Sequence, residues 1–433
     1  MGSALVLGAG LVSRPLVGYL LDSGHEVTVA SRTVEKAERV VGGHERGRSV
    51  RFDIAGDPGL EPLIDDHDIT VSLLPYSHHV KVAKACIKMG KPMVTTSYVS
   101  DSMRSLDEEA KRAGVVILNE MGLDPGIDHM EAQRVIDEIK EKGGVVDGFI
   151  SYCGGLPAPE ANTNPWGYKF SWSPKGVVLA SRNSARFKRD GNIVEIPGKD
   201  LFANYEMIDI EGLGRFEGYP NRDSVPYADI YGIGETRTIL RGTLRNMGWC
   251  DTWKGLHDTG ILDDVKPSGG TYLEMMSHLV PGSGDMKERL SRSISTRDND
   301  TAMSNFEWLG LLSDRELLDR KSTVDALSSL LEEKLQYSDG ERDMIVLQHT
   351  FHASMPDGPE VTKCTMIDYG IPGGDSAMSR TVGLPAAIGM DMILSGELDG
   401  LTGVHIPTHP MIYQPALEKL RGLGIEFLYT CSR

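Results

Sequence analysis

Over the first 120 residues, short apolar runs alternate with segments whose apolar positions recur at helical spacing. The runs are Ala4 to Leu7, Val27 to Ala30, Ser49 to Phe52, Ile69 to Leu73, Met93 to Thr95 and Val115 to Leu118. Between them Leu11 to Ser23, Val34 to Val41, Val80 to Met89 and Met103 to Ala113 read as helices. Strand and helix in alternation predict a doubly wound parallel sheet, whose strands stay apolar on both faces because helices cover both.

After Asp124 the pattern changes. A helix from about Met130 to Lys142 stops at Gly143-Gly144, and Asp147 to Cys153 reads as a strand. The stretch from Gly154 to Pro226, rich in Gly, Pro, Asn and Trp, predicts a loop-heavy α+β region. From about Glu235 to Tyr337 strand signals nearly vanish, while Tyr272 to Leu279, Met286 to Ser293 and Asp325 to Leu335 have helical spacing, predicting an inserted helical domain. Asp343 to Ala353 and Glu360 to Tyr369 alternate around Pro356-Asp357-Gly358, a hairpin signature. A long apolar helix over Ser376 to Leu394 follows. Helix Met411 to Leu420 and strand Ile425 to Tyr429 come last and are expected to rejoin the first sheet.

The chain has 433 residues, about three domains at roughly 150 residues each. With 45 Lys and Arg against 62 Asp and Glu it carries a net charge of −17, a field that repels nucleic acids and anionic lipid surfaces. An anionic ligand must therefore be held by local cations. Cys86, Cys153, Cys250, Cys364 and Cys431 are scattered with no CxxC pair, which argues for a reducing compartment and against zinc. His405 and His409, broken by Pro407 and Pro410, do not form a helical metal pair, so no metal is expected. The opening residues run straight into a strand pattern, without a basic or cleavable leader, and predict a cytoplasmic protein.

Gly8-Ala9-Gly10-Leu11-Val12-Ser13 follows the first strand and opens a helix, the context a dinucleotide fingerprint requires. Gly8 allows the tight turn, Gly10 lets backbone approach a pyrophosphate, and Leu11 and Val12 lead into the helix N-terminus that would carry it. The second strand ends in Ser31-Arg32-Thr33 with no carboxylate; Arg32 can pair with a 2′-phosphate while Ser31 and Thr33 donate hydroxyl hydrogen bonds, which favours NADP(H) over NAD. Asp53 after the third strand, and Ser72 and Leu74 after the fourth, take positions beside the adenosine and the nicotinamide ribose.

Three distant segments hold proton-transfer groups: Thr95-Thr-Ser-Tyr98, Asn119 to His129, and Ser151 to Pro157. Two of them follow strands of the cofactor sheet. Tyr98, Asp124 and Cys153 are the candidate acids and bases, although Cys153 taken alone reads as a small buried hydrophobe.

These segments carry a resemblance. Val71-Ser-Leu-Leu-Pro-Tyr76, Val94-Thr-Thr-Ser-Tyr-Val-Ser100, Asn119-Glu-Met-Gly-Leu-Asp-Pro-Gly-Ile-Asp-His129, Ile150-Ser-Tyr-Cys-Gly-Gly-Leu-Pro-Ala-Pro159, Gly167-Tyr-Lys-Phe-Ser-Trp172 and Tyr219-Pro-Asn-Arg-Asp-Ser224 resemble the saccharopine reductases, the glutamate-forming saccharopine dehydrogenases. Arg241-Gly-Thr-Leu-Arg245 and Gly340-Glu-Arg-Asp343 extend the likeness along the whole chain; Ser13 stands where the family more often has a smaller residue.

The resemblance implies a Rossmann domain completed by the C-terminal segment (1–124 and 405–433), an α+β substrate domain (125–234 and 338–404) and a helical insertion (235–337), in a homodimer. The implied activity is reversible, NADPH-dependent reduction of the imine formed from α-aminoadipate semialdehyde and glutamate, giving saccharopine in lysine biosynthesis. Saccharopine carries three carboxylates, for which Arg222, aided by Asn221, is the first candidate anchor. Trp172 would wall its aliphatic part and Ser97 would contact it. A carboxynorspermidine-type reductase and a non-catalytic NADP-responsive binding protein are the alternatives.

Overall fold

The computed structural model describes all 433 residues. Strands in chain order are β1 (Ser3–Leu7), β2 (Glu26–Ser31), β3 (Gly47–Arg51), β4 (Ile69–Ser72), β5 (Met93–Thr95), β6 (Val116–Leu118), β7 (Val145–Pro157) and β8 (Ala185–Arg189). They continue as β9 (Asn192–Ile196), β10 (Glu206–Ile210), β11 (Gly214–Pro220), β12 (Thr238–Arg245), β13 (Asp343–Met355), β14 (Gly358–Tyr369), β15 (Gly403–His405) and β16 (Phe427–Ser432). The first four helices are α1 (Ser13–Asp22), α2 (Val34–Val41), α3 (Leu60–Asp65) and α4 (His79–Met89).

The chain divides into two compact units, 1–143 with 374–428, and 144–373 with 429–433. In the first, seven parallel strands lie in the order β15-β6-β5-β4-β1-β2-β3. The order reverses between β1 and β4, the switch point outside which α/β sheets bind ligands. Ala4, Leu5, Val6 and Leu7 of β1 are fully buried, as a strand covered on both faces must be. Leu5, Leu7, Ile64, Val82, Met93 and Ile117 are among the residues of one apolar cluster beneath helices.

The second unit is built on a mixed sheet, β10-β11-β12-β7-β13-β14-β16, with the β8–β9 hairpin attached through β12. The predicted hairpin is β13–β14, in register from Met344 opposite Tyr369 to Met355 opposite Gly358. Between β12 and β13 the chain forms helices, including Trp249–Asp258, Tyr272–Leu279, Met286–Ser293, Asn299–Leu309 and Thr323–Lys334. They share one core with the sheet, in which Trp166 meets Trp249 and Trp253 edge-on and donates its indole N–H to the Asn305 carbonyl. Glu217 closes the N-terminus of the Trp249 helix, accepting from the Gly248 and Cys250 N–H groups at 2.7 Å each.

Two expectations are corrected. The region after Glu235 is not free of strand: Thr238–Arg245 is β12, paired parallel to β7 and antiparallel to β11. Its signal was masked by Gly242 and two arginines. Both arginines are 7% exposed, with Arg241 lying 4.2 Å over the Tyr227 ring and Arg245 5.1 Å over Tyr168. The late strand that joins the first sheet is Gly403–His405, parallel to β6, whereas Phe427–Ser432 edges the second sheet beside β14. A three-residue strand opening on glycine leaves too short an apolar run to read.

Candidate functional site

The turn after β1 meets the demands of a phosphate cradle. Gly8 has φ +116, and a Cβ there would lie 3.1 Å from the Leu73 carbonyl oxygen, so the fold itself requires glycine. A Cβ on Gly10 would meet no atom within 4 Å, so nothing in the protein explains glycine at that position. The α1 N-cap residue, Val12, makes no side-chain cap bond, and the first turn has no carboxylate. Its N–H groups and dipole are therefore available to an anion. Ser13, the departure from the fingerprint, is fully buried and donates its hydroxyl to the Gly10 carbonyl at 2.7 Å, bracing the turn. Leu11 projects from the turn with 71% of its surface exposed.

At the end of β2, Arg32 and Thr33 are exposed and Ser31 is half-buried. Ser31 Oγ accepts from the Thr33 N–H at 3.3 Å; Thr33 holds the N-cap position of α2 but makes no side-chain cap bond. Asp53 organises its own turn, its carboxylate accepting from the Ala55 N–H at 3.1 Å. Leu74 is half-buried beyond β4, while Ser72 is fully buried, its hydroxyl 2.8 Å from His79 Nδ1. These features fit a phosphorylated dinucleotide: glycine without a structural reason, an open helix terminus, and an exposed Arg32 with no carboxylate at 31–33.

Further along the same sheet edge, the loops after β5 and β6 are laced together. Glu120 N–H donates to the Ser97 carbonyl at 3.2 Å and Met121 N–H to the Thr95 carbonyl at 3.0 Å. Glu120, 3% exposed and at φ 60, accepts from the Val99 N–H at 2.8 Å through Oε1, and its Oε2 lies 2.8 Å from His129 Nε2. Gly126 closes the turn: at φ +147, a Cβ would fall 2.0 Å from the Gly122 carbonyl oxygen. The lacing brings the Tyr98 hydroxyl to Asp124 Oδ1 as donor at 2.8 Å. A phenol donating to a carboxylate is a unit that can hold or pass a proton. Ser97, beside it, is 2.8 Å from His79 Nε2. Burial holds the His79 pKa down to about 4, with His78 adding to the effect.

In the second unit, Cys153 lies in β7, 8% exposed, opposite Thr243 of β12 and Leu347 of β13. Trp172 is partly buried against the unit's core. Asn221 donates its N–H to the Arg241 carbonyl at 2.9 Å. Arg222 is exposed and sits at φ 56, a conformation that costs a non-glycine residue about 1 kcal/mol or more and is concentrated at functional sites. The neighbouring Asp223 carboxylate pairs with Arg186 at 3.2 Å.

Sequence reasoning missed Glu120 and left His79 without a role. A histidine seven residues after a strand-end serine gives no signal, because its partners Thr95 and Ser97 come from another strand.

Comparison with known proteins adds independent findings. Residues 4–118 match the model of the saccharopine dehydrogenase NADP binding domain, and residues 122–425 that of the saccharopine dehydrogenase C-terminal domain. Saccharopine dehydrogenase [NADP(+), L-glutamate-forming] of Pyricularia oryzae is 40% identical over 440 residues, 98% of each chain. The Saccharomyces cerevisiae protein of the same name is 40% identical over 97% of this chain and 96% of its own. The solved apo structure of saccharopine dehydrogenase (L-Glu forming) from Saccharomyces cerevisiae superposes with a TM-score of 0.93 at 38% identity, covering 100% of both chains.

Proposed function

The chain belongs to the saccharopine dehydrogenase family, and from that membership we propose that it is an NADP(H)-dependent oxidoreductase interconverting saccharopine with glutamate and α-aminoadipate semialdehyde. The observation that carries the reading is identity of 40% over 98% of the chain to glutamate-forming enzymes, joined to a cradle in which a Cβ on Gly10 would meet no protein atom within 4 Å. Nothing favours the carboxynorspermidine-type reductase or the non-catalytic binding protein.

The Gly8–Val12 turn and the α1 N-terminus would hold the pyrophosphate, and Ser31, Arg32 and Thr33 the 2′-phosphate, with Asp53, Ser72 and Leu74 along the adenosine and nicotinamide side. When bound, the cofactor supplies the hydride that reduces the carbon–nitrogen double bond. The remaining chemistry is proton traffic. Glutamate's amine adds to the aldehyde, the carbinolamine loses water to an imine, and each step needs a proton given or taken. We assign this to Tyr98 and Asp124, hydrogen-bonded at 2.8 Å, with Cys153 as the third proton-transfer candidate. Arg222 and Asn221 are proposed as carboxylate anchors, with Trp172 and Ser97 as further substrate contacts.

A role in lysine biosynthesis, a cytoplasmic location and a homodimer belong to the same proposal. Five cysteines, none of them in a disulfide, support a reducing compartment, and no helix is long and apolar enough to cross a membrane. Light scattering on the purified protein tests the dimer. Saccharopine and NADP+ incubated with the protein should yield NADPH and glutamate in equal amounts. Lysine and 2-oxoglutarate as products, or no NADPH, would refute the activity.

A further inference from the structure

His79 opens α4, is 4% exposed, and touches three hydroxyl groups: Ser72 Oγ at 2.8 Å from Nδ1, and Ser97 Oγ at 2.8 Å and Thr95 Oγ1 at 3.3 Å from Nε2. Two of these contacts decide which ring nitrogen bears the proton. Thr95 Oγ1 already donates its only hydrogen to the Ser72 carbonyl at 3.0 Å, so it can meet Nε2 only as an acceptor, and Nε2 must be the N–H. Ser72 is fully buried and its hydroxyl has no other partner, so its hydrogen must go to Nδ1, which is then the bare nitrogen. The opposite tautomer would strand the buried Ser72 hydrogen and set two lone pairs against each other at Thr95. With a pKa near 4, the ring holds one proton only at neutral pH.

The consequence falls on Ser97. Its oxygen accepts from Nε2–H, so its own hydrogen is free to point away from the ring, and no group of the protein accepts it. We propose that His79 is a positioning residue which, through the Nε2–H tautomer, fixes Ser97 as a hydrogen-bond donor to a carboxylate of the substrate. A serine without such a neighbour can turn either a lone pair or a hydrogen toward a ligand; this one is committed to the form an anion requires. In a chain of net charge −17, a neutral donor of fixed direction beside the Tyr98–Asp124 pair binds a carboxylate without placing a cation near a group that must exchange protons.

This inference rests on the proposed substrate, and the tests separate the two. In the full-length protein labelled with 15N-histidine, the His79 ring shifts should show Nε2 protonated and Nδ1 bare from mildly acidic to mildly alkaline pH, independently of any activity. The opposite tautomer, or a doubly protonated ring at neutral pH, overturns the proposal. In saccharopine oxidation, His79→Leu and Ser97→Ala should each raise the saccharopine KM about tenfold with kcat nearly unchanged. The double variant should be no worse than either alone. His79→Gln, which retains an amide donor, should recover part of the loss. Additive effects, or an unchanged KM in His79→Leu, overturn the proposal. Should His79→Leu not fold, the tautomer and the His79→Gln and Ser97→Ala pair decide it. A wild-type protein inert toward saccharopine refutes the substrate assignment and leaves the tautomer result standing by itself.

Discussion

Alanine at Gly10 separates what the fold needs from what a ligand needs. The added Cβ meets nothing within 4 Å and the residue is not in the left-handed region, so the folded protein accommodates it. Glycine to alanine at a compatible site removes unfolded-state entropy and stabilises by roughly 0.4–1 kcal/mol, so the melting temperature should hold or rise slightly. The cost appears on binding. A methyl group where the backbone must approach a pyrophosphate displaces the anion from the α1 terminus and loses about two charge-assisted hydrogen bonds. At roughly 1.5–2 kcal/mol each, these are worth about 3–4 kcal/mol, on the order of 10²- to 10³-fold in Kd. Gly8→Ala is the contrasting control. With φ +116 and the Leu73 carbonyl oxygen 3.1 Å from the new Cβ, it should lose about 1–3 kcal/mol of stability whether or not a ligand is present. Thermal unfolding of both variants, paired with NADPH fluorescence titration, reads the two effects separately. A Gly10→Ala protein that binds NADPH within threefold of wild type would refute the assignment of the cradle, and one that melts far lower would refute the open space.

Arg32→Ala should weaken NADPH binding about tenfold to a hundredfold and leave NADH binding nearly unchanged; equal loss for both would remove Arg32 from the 2′-phosphate. Tyr98→Phe and Asp124→Asn should each lower kcat by about 10²-fold with a small change in KM, and a drop below tenfold would leave them only positioning substrate. His79 has a native pKa near 4 against an ordinary 6.5, so the unfolded chain takes up the proton first as pH falls. Stability is then lost between pH 6.5 and about 4, by about 3 kcal/mol, and denaturant unfolding of His79→Gln should lack that part of the decline. Glu341→Gln should cost about 3 kcal/mol in denaturant unfolding, because Lys169, 5% exposed, loses the carboxylate 2.6 Å away; a change below 1 kcal/mol would show the ammonium finding water instead.

The first six strands of the first unit were legible because they lie in short apolar runs that alternate with helical stretches, and its phosphate turn is local in sequence; β15, three residues opening on glycine, was not. Gly8, Gly10, Arg32 and Thr33 lie within one strand-helix-strand passage and could be read together. β12 was not legible: its buried arginines reach aromatic rings supplied by Tyr227 and Tyr168, and no periodicity records where a guanidinium will lie. The Tyr98–Asp124 contact was approachable only as two acids following neighbouring strands. Its cause, Glu120 holding the Val99 N–H from the adjacent loop, is a long-range hydrogen bond without a local signature. His79 escaped for the same reason.

The central claim is that hydride from NADPH reaches the carbon that was the aldehyde of α-aminoadipate semialdehyde. NADPH bearing transferable deuterium at C4, supplied with the semialdehyde and glutamate, should give saccharopine labelled at the terminal carbon of its aminoadipate portion. Deuterium on the α-carbon of the glutamate portion, or saccharopine formed without label, would contradict it.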